Sequence, residues 1–144
     1  MKIRPARSED LDAIKALLVE SELPVADVNL ALLVDFMVAE DAGGKIVGSV
    51  GFERFAAHAL LRSLAVSSTT RGSGLGRSLT AHAEGTAHSC GISELWLLTT
   101  TAADFFQRGG YVVANRNTAP DELQASTQFS LLCPATAVCM KKPL

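Results

Sequence analysis

The run Ala59-Leu60-Leu61-Arg62-Ser63-Leu64-Ala65-Val66 has a strand's hydrophobic character, and four residues later the chain reads Arg71-Gly72-Ser73-Gly74-Leu75-Gly76-Arg77. A helical stretch then runs to about Ser89, with Leu75, Leu79, Ala83 and Ala87 near one stripe. A glycine loop between strand and helix lets backbone N–H groups and the helix dipole converge on a phosphate. Spacing separates the possible sites. A dinucleotide fingerprint needs two residues between its second and third glycines, but Leu75 stands alone between Gly74 and Gly76. A P-loop needs four residues between its glycines and a lysine after the second; here three separate Gly72 from Gly76, and Arg77 follows. What remains is Arg71-x-x-Gly74-x-Gly76, a pyrophosphate-type loop, with a simple tight turn as the alternative.

This loop, set after Leu64-Ala65-Val66, resembles the acetyl-CoA signature of the GNAT-type N-acetyltransferase superfamily, Arg/Gln-x-x-Gly-x-Gly/Ala. Downstream, Phe105-Phe106-Gln107-Arg108-Gly109-Gly110-Tyr111 is similar to the superfamily's Phe-Tyr-x-x-x-Gly-Phe pattern. A narrower resemblance lies in Leu61 to Val66, in Leu97-Leu98-Thr99-Thr100-Thr101-Ala102-Ala103-Asp104-Phe105-Phe106, and in the tail from Ser126 to Ala135. These look like the small GNAT subfamily of bacterial arsenic-resistance operons, which is related to amino-acid N-acetyltransferases. The resemblance implies an α/β (α+β) fold with a mixed, mainly antiparallel sheet flanked by helices, in one domain spanning residues 1–144.

It also implies roles. The backbone of Leu64 and Val66 pairs with the pantetheine arm, and an N–H near Leu64 polarises the thioester carbonyl. Gly72, Ser73, Gly74, Leu75 and Gly76 hold the pyrophosphate, with Arg71 and Arg77 adding charge. Thr99, Phe106 and Arg108 complete the cofactor contacts, although an arginine at a helix C-terminus also simply complements the dipole. Phe106 stands where many relatives carry the tyrosine that protonates the leaving thiolate, and phenylalanine has no such proton. Tyr111, the only tyrosine, falls at an apolar packing position.

An attacking amine must be deprotonated, and Glu53, after the apolar Val50 to Phe52, is the first candidate base; a solvent-facing charge is the alternative. Arg54 and Arg62 are candidate clamps for an acidic group on the acceptor, Arg62 alternatively snorkelling from its strand. Thr100 is a candidate substrate contact, with β-propensity as the bland account of the three threonines. Acetyl-CoA is the expected co-substrate and a small primary amine the expected acceptor, with a homodimer expected from the family. A rival reading is a non-catalytic module that binds acetyl-CoA and senses a metabolite or arsenical.

Further out, Leu11, Ile14, Leu17 and Leu18 mark a first helix with Ser8 as its N-cap, and Asp27 to Val34 reads as a second helix. Phe36 to Ala39 and Lys45 to Phe52 form a hairpin about Gly43-Gly44. Strands follow at Glu94 to Thr100, Tyr111 to Val113 and Thr136 to Met140, with a helix at Ala102 to Arg108 and a helical turn within Asp121 to Phe129. The 144 residues are 48% hydrophobic, enough for one core, and a formal charge of -2 gives no general reason to expect nucleic acid or an anionic membrane as partner. No run approaches the roughly 20 apolar residues of a membrane span, and the N-terminus does not read as a signal peptide, so the cytoplasm is expected. Cys90, Cys133 and Cys139 are odd in number and, with the histidines, lack zinc spacing, so neither a disulfide framework nor a metal is expected.

Overall fold

A computed structural model describes the backbone of residues 1–144 and every side chain except that of Leu131. The strands are β1 (Lys2–Pro5), β2 (Phe36–Glu40), β3 (Ile46–Phe55), β4 (His58–Val66), β5 (Glu94–Thr99), β6 (Val112–Val113) and β7 (Val138–Pro143). The helices are α1 (Leu11–Glu20), α2 (Leu75–Ser89), α3 (Ala103–Arg108) and the single turn α4 (Asp121–Gln124). The strands form one sheet in the order β1-β2-β3-β4-β5-β7-β6, in which β4 and β5 are the one parallel pair. This is the mixed, mainly antiparallel α/β architecture expected.

Local chemistry accounts for the hairpins. Between β2 and β3 the Asp41 carboxylate accepts the N–H groups of Gly43 and Lys45, both at 2.9 Å, while Gly44 takes the left-handed conformation. Between β3 and β4 only Ala56 and Ala57 intervene, since Phe55 pairs with His58. The parallel β5 requires a crossover, which α2 supplies. Its stripe of Leu75, Leu79, Ala83 and Ala87 is buried against Met37, Val50, Phe52, Leu61 and Leu97. Fully burying each leucine contributes about 2 kcal/mol.

The opposite face of the sheet has two covers. Ile14, Leu17 and Leu18 of α1 pack with Val28, Leu33, Phe36, Val38 and Ala65. Next to them Leu60, Trp96 and Cys139 pack beneath Ala119, Leu123 and Phe129 of the 114–133 segment. The cleft opens between these two covers.

Three local expectations need correcting. Ser8 does not cap α1: Ser8–Asp10 is a 3-10 turn, and Asp10 supplies the carboxylate that accepts the Arg7 N–H at 2.7 Å. Asp10 is instead buried against Arg4, whose Nη1 and Nη2 donate to it at 2.8 and 3.1 Å. The segment from Asp27 to Val34 is not a helix but turns ending in the 3-10 turn Leu32–Asp35, because its apolar side chains are recruited singly to the α1 cover. The last strand begins at Val138, not Thr136, its register fixed by antiparallel pairing with β5.

Candidate active site

The parallel pairing of β4 with β5 covers only His58 to Leu60 against Glu94 to Trp96. Beyond it β4 runs on to Val66, while β5 stays bonded to β7 as far as Thr99. The two strands therefore splay, and the gap is a cleft of about 1100 Å³, of the size that accommodates small ligands and cofactors. Leu61 to Val66 form one wall and Leu97 to Ala102 the other.

One end of the cleft is built from backbone. Gly72 and Gly74 adopt φ of +85° and +82°, the region that L side chains resist, and Gly74 is the N-cap of α2. The first amides of a helix have no partner within it, and this first turn holds no acidic side chain, so the N-terminus of α2 presents N–H groups and a positive dipole end. A Cβ at Gly76 would stand 3.4 Å from the Phe105 ring, a close contact that an alanine would fill. Arg71 donates through Nε to Val66 O at 3.3 Å, and both Arg71 and Arg77 are exposed. These features suit a pyrophosphate.

Along the cleft wall β4 is broken. Ser49 pairs with Ala65 and Gly51 with Arg62, so Ser63 and Leu64 together face Val50 and neither has a partner in register. This is a β-bulge, and Ser63 holds φ of +58°. A non-glycine residue there costs about 1 to 2 kcal/mol, and the Ser49 hydroxyl helps hold it by donating to Ser63 O at 2.9 Å. Ser63, Leu64 and Val66 all line the cleft.

The other end is built from side chains. Arg62 is 5% exposed, and its guanidinium makes four hydrogen bonds: Nη1 to Asp27 Oδ2 at 2.5 Å and Glu53 Oε1 at 2.6 Å, Nη2 to Asp27 Oδ1 at 2.7 Å, and Nε to Ser63 Oγ at 3.1 Å. Burial works to lower its pKa, and the bonds from Asp27 and Glu53 outweigh it, raising the value. Opposite lie Gln128, Leu132, Cys133 and Pro134. Arg116 pins that segment by donating to Phe129 O at 2.6 Å and Pro134 O at 2.7 Å. Burial pushes the Cys133 thiol up, which keeps it protonated and a poor nucleophile.

Of the residues singled out in the sequence, Arg62, Leu64, Val66, Arg71, Gly76, Thr99, Thr100, Phe106 and Arg108 line the cleft. Gly72, Ser73, Gly74, Leu75 and Arg77 belong to the adjoining loop and the first turn of α2. Arg54 is not brought there: it is exposed and forks on to Asp35, with Nε and Nη2 each at 2.8 Å from its carboxylate. Glu53 is not among the cleft-lining residues, and its Oε1 accepts from Arg62, whose guanidinium lines the cleft while paired with both Asp27 and Glu53. Tyr111 is 2% exposed and donates to Glu84 at 2.9 Å, with burial raising its pKa, so its proton is held outside the cleft. Sequence reasoning missed Asp27, Ser49, Ser63 and Arg116. Asp27 meets Arg62 across 35 positions, and no local pattern carries that information.

A family described as the acetyltransferase (GNAT) domain matches residues 33–113, more than half of the chain. The chain belongs to the GNAT acetyltransferase family. Among solved structures, N-acetylglutamate synthase from Neisseria gonorrhoeae, complexed with coenzyme A and N-acetyl-glutamate, superposes with a TM-score of 0.85 at 24% identity over 99% of this chain and 35% of that one. This chain thus spans about a third of that enzyme's length. Rv2747 from Mycobacterium tuberculosis, in a complex containing CoA, gives 0.84 at 23% identity over 100% of this chain and 99% of that one. A GNAT-family acetyltransferase from Staphylococcus aureus gives 0.80 at 15% identity over 99% and 98%. These likenesses establish a GNAT fold. No helix is long and apolar enough to cross a membrane, and among the described residues no group of three or more His, Cys, Asp or Glu side chains is placed to hold a metal ion.

Proposed function

We propose that this GNAT domain, residues 1–144, transfers the acetyl group of acetyl-CoA to the primary amine of a small molecule, an amino acid or a compound like one. The observation that carries the reading is the splay between β4 and β5, with the amides of α2 at one end and the Asp27–Arg62–Glu53 cluster at the other. In this reading the Gly72 to Gly76 backbone holds the pyrophosphate, with Arg71, Arg77 and Arg108 in support. Val66 and Leu64 offer main-chain groups to the pantetheine, and Thr99 and Phe106 form the facing wall. Two carboxylates against one guanidinium leave the cluster with an excess of negative charge, which favours an ammonium group arriving near the bulge. Thr100 and the remaining Arg62 Nη2 proton are left to orient the acceptor's own acid group.

The chemistry is direct. The acceptor nitrogen gives its lone pair to the acetyl carbon, the carbonyl pair moves on to oxygen and returns, and the C–S bond breaks with its electrons on sulfur. Nitrogen loses a proton to water, through which Glu53, outside the cleft lining, is the base in this reading, and the sulfur is protonated from solvent, since Phe106 has no proton to give. Leu64 N–H stabilises the charge developing on oxygen. The raised thiol pKa of Cys133 supports the absence of an acetyl-enzyme.

The likeness to an N-acetylglutamate synthase complexed with N-acetyl-glutamate supports an amino-acid acceptor. An arsenic-resistance setting, supported by the subfamily motifs, a cytoplasmic location and a homodimer all belong to the proposal. The test is release of free CoA thiol from acetyl-CoA across a panel of amino acids and amino-acid-like arsenicals. Turnover with one class of amine is expected; tight acetyl-CoA binding without thiol release from any amine would favour the sensor reading instead.

A further inference from the structure

We propose that the Ser63 hydroxyl is a second hydrogen-bond donor to the acetyl carbonyl oxygen, working beside the Leu64 amide in a two-donor hole that Arg62 holds in place. This rests on the acetyltransferase reading above and adds a catalytic side chain to it. Ser63 sits at the bulge, lines the cleft and keeps a φ of +58° that glycine would adopt without strain. Strain retained at a cleft-lining position points to a use for the side chain that imposes it. Ser63 Oγ accepts the Arg62 Nε–H at 3.1 Å, and among the described residues the hydroxyl's own proton has no acceptor. That proton remains to be offered to a ligand.

The direction and strength of the offer follow from the same contacts. The carbonyl carbon of Ser63 is bonded to the Leu64 nitrogen, so the two donors are a few bonds apart and can address one oxygen. A cationic N–H donated into a hydroxyl oxygen polarises its O–H and makes it a better donor. Arg62 cannot swing away, because Asp27 and Glu53 hold its other nitrogens, and Ser49 fixes the Ser63 carbonyl. The other cleft hydroxyl with a fixed orientation, Thr99 Oγ1, receives only the neutral Ala102 N–H at 3.0 Å. No proton leaves Ser63 in the reaction. Both donors hold the carbonyl electron pair while it resides on oxygen and release it as the sulfur departs.

The experiment is infrared spectroscopy of acetyl-CoA labelled with carbon-13 at the carbonyl, bound to the wild-type protein, Ser63→Ala and Ser63→Gly, alongside acetyl-CoA calorimetry and steady-state kinetics. The wild-type carbonyl band is expected below that of free acetyl-CoA, and both variants should move it back toward the free position. Loss of one such donor should lower kcat about a hundredfold while acetyl-CoA affinity stays within about twofold. Ser63→Gly should show the same losses with a raised Tm, which separates the hydroxyl from the conformation. A Ser63→Ala band at the wild-type position, or an unchanged kcat, overturns the Ser63 assignment alone. Wild-type protein that binds no acetyl-CoA overturns the acetyltransferase reading and this assignment together.

Discussion

The two ends of the cleft are made in different ways. At the α2 end the groups offered to a ligand in the proposed function are main-chain amides, exposed by glycines at Gly72, Gly74 and Gly76 and set by the start of one helix. At the Arg62 end one side chain, Arg62 on β4, lines the cleft, and two carboxylates outside the lining hold it: Glu53 on β3 and Asp27 in the turns after α1. A main-chain site depends on local conformation and tolerates change in its neighbours. A side-chain site depends on long-range closure, and each member is held by the others. Recognition of a common ligand suits the first, and specificity for a particular acceptor suits the second.

The sharpest way to break this contrast is Arg62→Ala, which leaves Asp27 and Glu53 without their cation. Denaturant unfolding should show a loss of about 3 kcal/mol, with acetyl-CoA affinity retained by whatever protein remains folded. If affinity falls in proportion, the two ends are not independent. Gly74→Val should do the reverse: acetyl-CoA binding weakens about a hundredfold, or about 2.7 kcal/mol, because valine resists a φ of +82° at the amide cradle. Calorimetry reads this directly, and unchanged affinity would remove the α2 end from the site.

The Arg4–Asp10 pair sharpens the contrast through pH. Its hydrogen bonds from Arg4 hold the Asp10 pKa below the ordinary 3.8, against the opposing effect of burial. Asp10 therefore contributes stability that is complete above that pH and is lost as pH falls from 3.8 through the lower folded value. Hydrogen exchange at acid pH should open α1 and its adjoining wall before α2, and Asp10→Asn should cost about 1.5 kcal/mol at neutral pH while flattening that dependence. The smallest effect is expected from Tyr111→Phe. Removing the bond to Glu84 should cost about 1 kcal/mol in stability and leave kcat unchanged; a fall in kcat would show that Tyr111 reaches the cleft.

What was legible in the sequence follows the same division. Glycine spacing, the apolar stripe of α2 and the hairpin around Asp41 to Gly44 are local, and the structure carries each of them. The fold class was readable for that reason. Asp27 could not be matched to Arg62 because the contact closes across 35 positions between a turn and a strand. The same closure explains why Asp27 to Val34 misleads as a helix: its apolar residues serve the α1 cover, not a helical face of their own. Ser63 was hidden by an ordinary strand pattern, since a bulge appears only when the pairing of β3 with β4 is known.

The splay has a consequence for how the molecule avoids its own kind. From Leu61 to Val66 the β5-facing side of β4 is a sheet edge inside the protein, and an open edge invites any extended chain to pair with it, the route by which β proteins polymerise. Most edges are defended by charge, proline or brevity. This one is defended by depth, sunk between α3, the turns after α1 and the segment from Gln128 to Ala137. The edge exposed by the splay is thus walled by the chain's own segments.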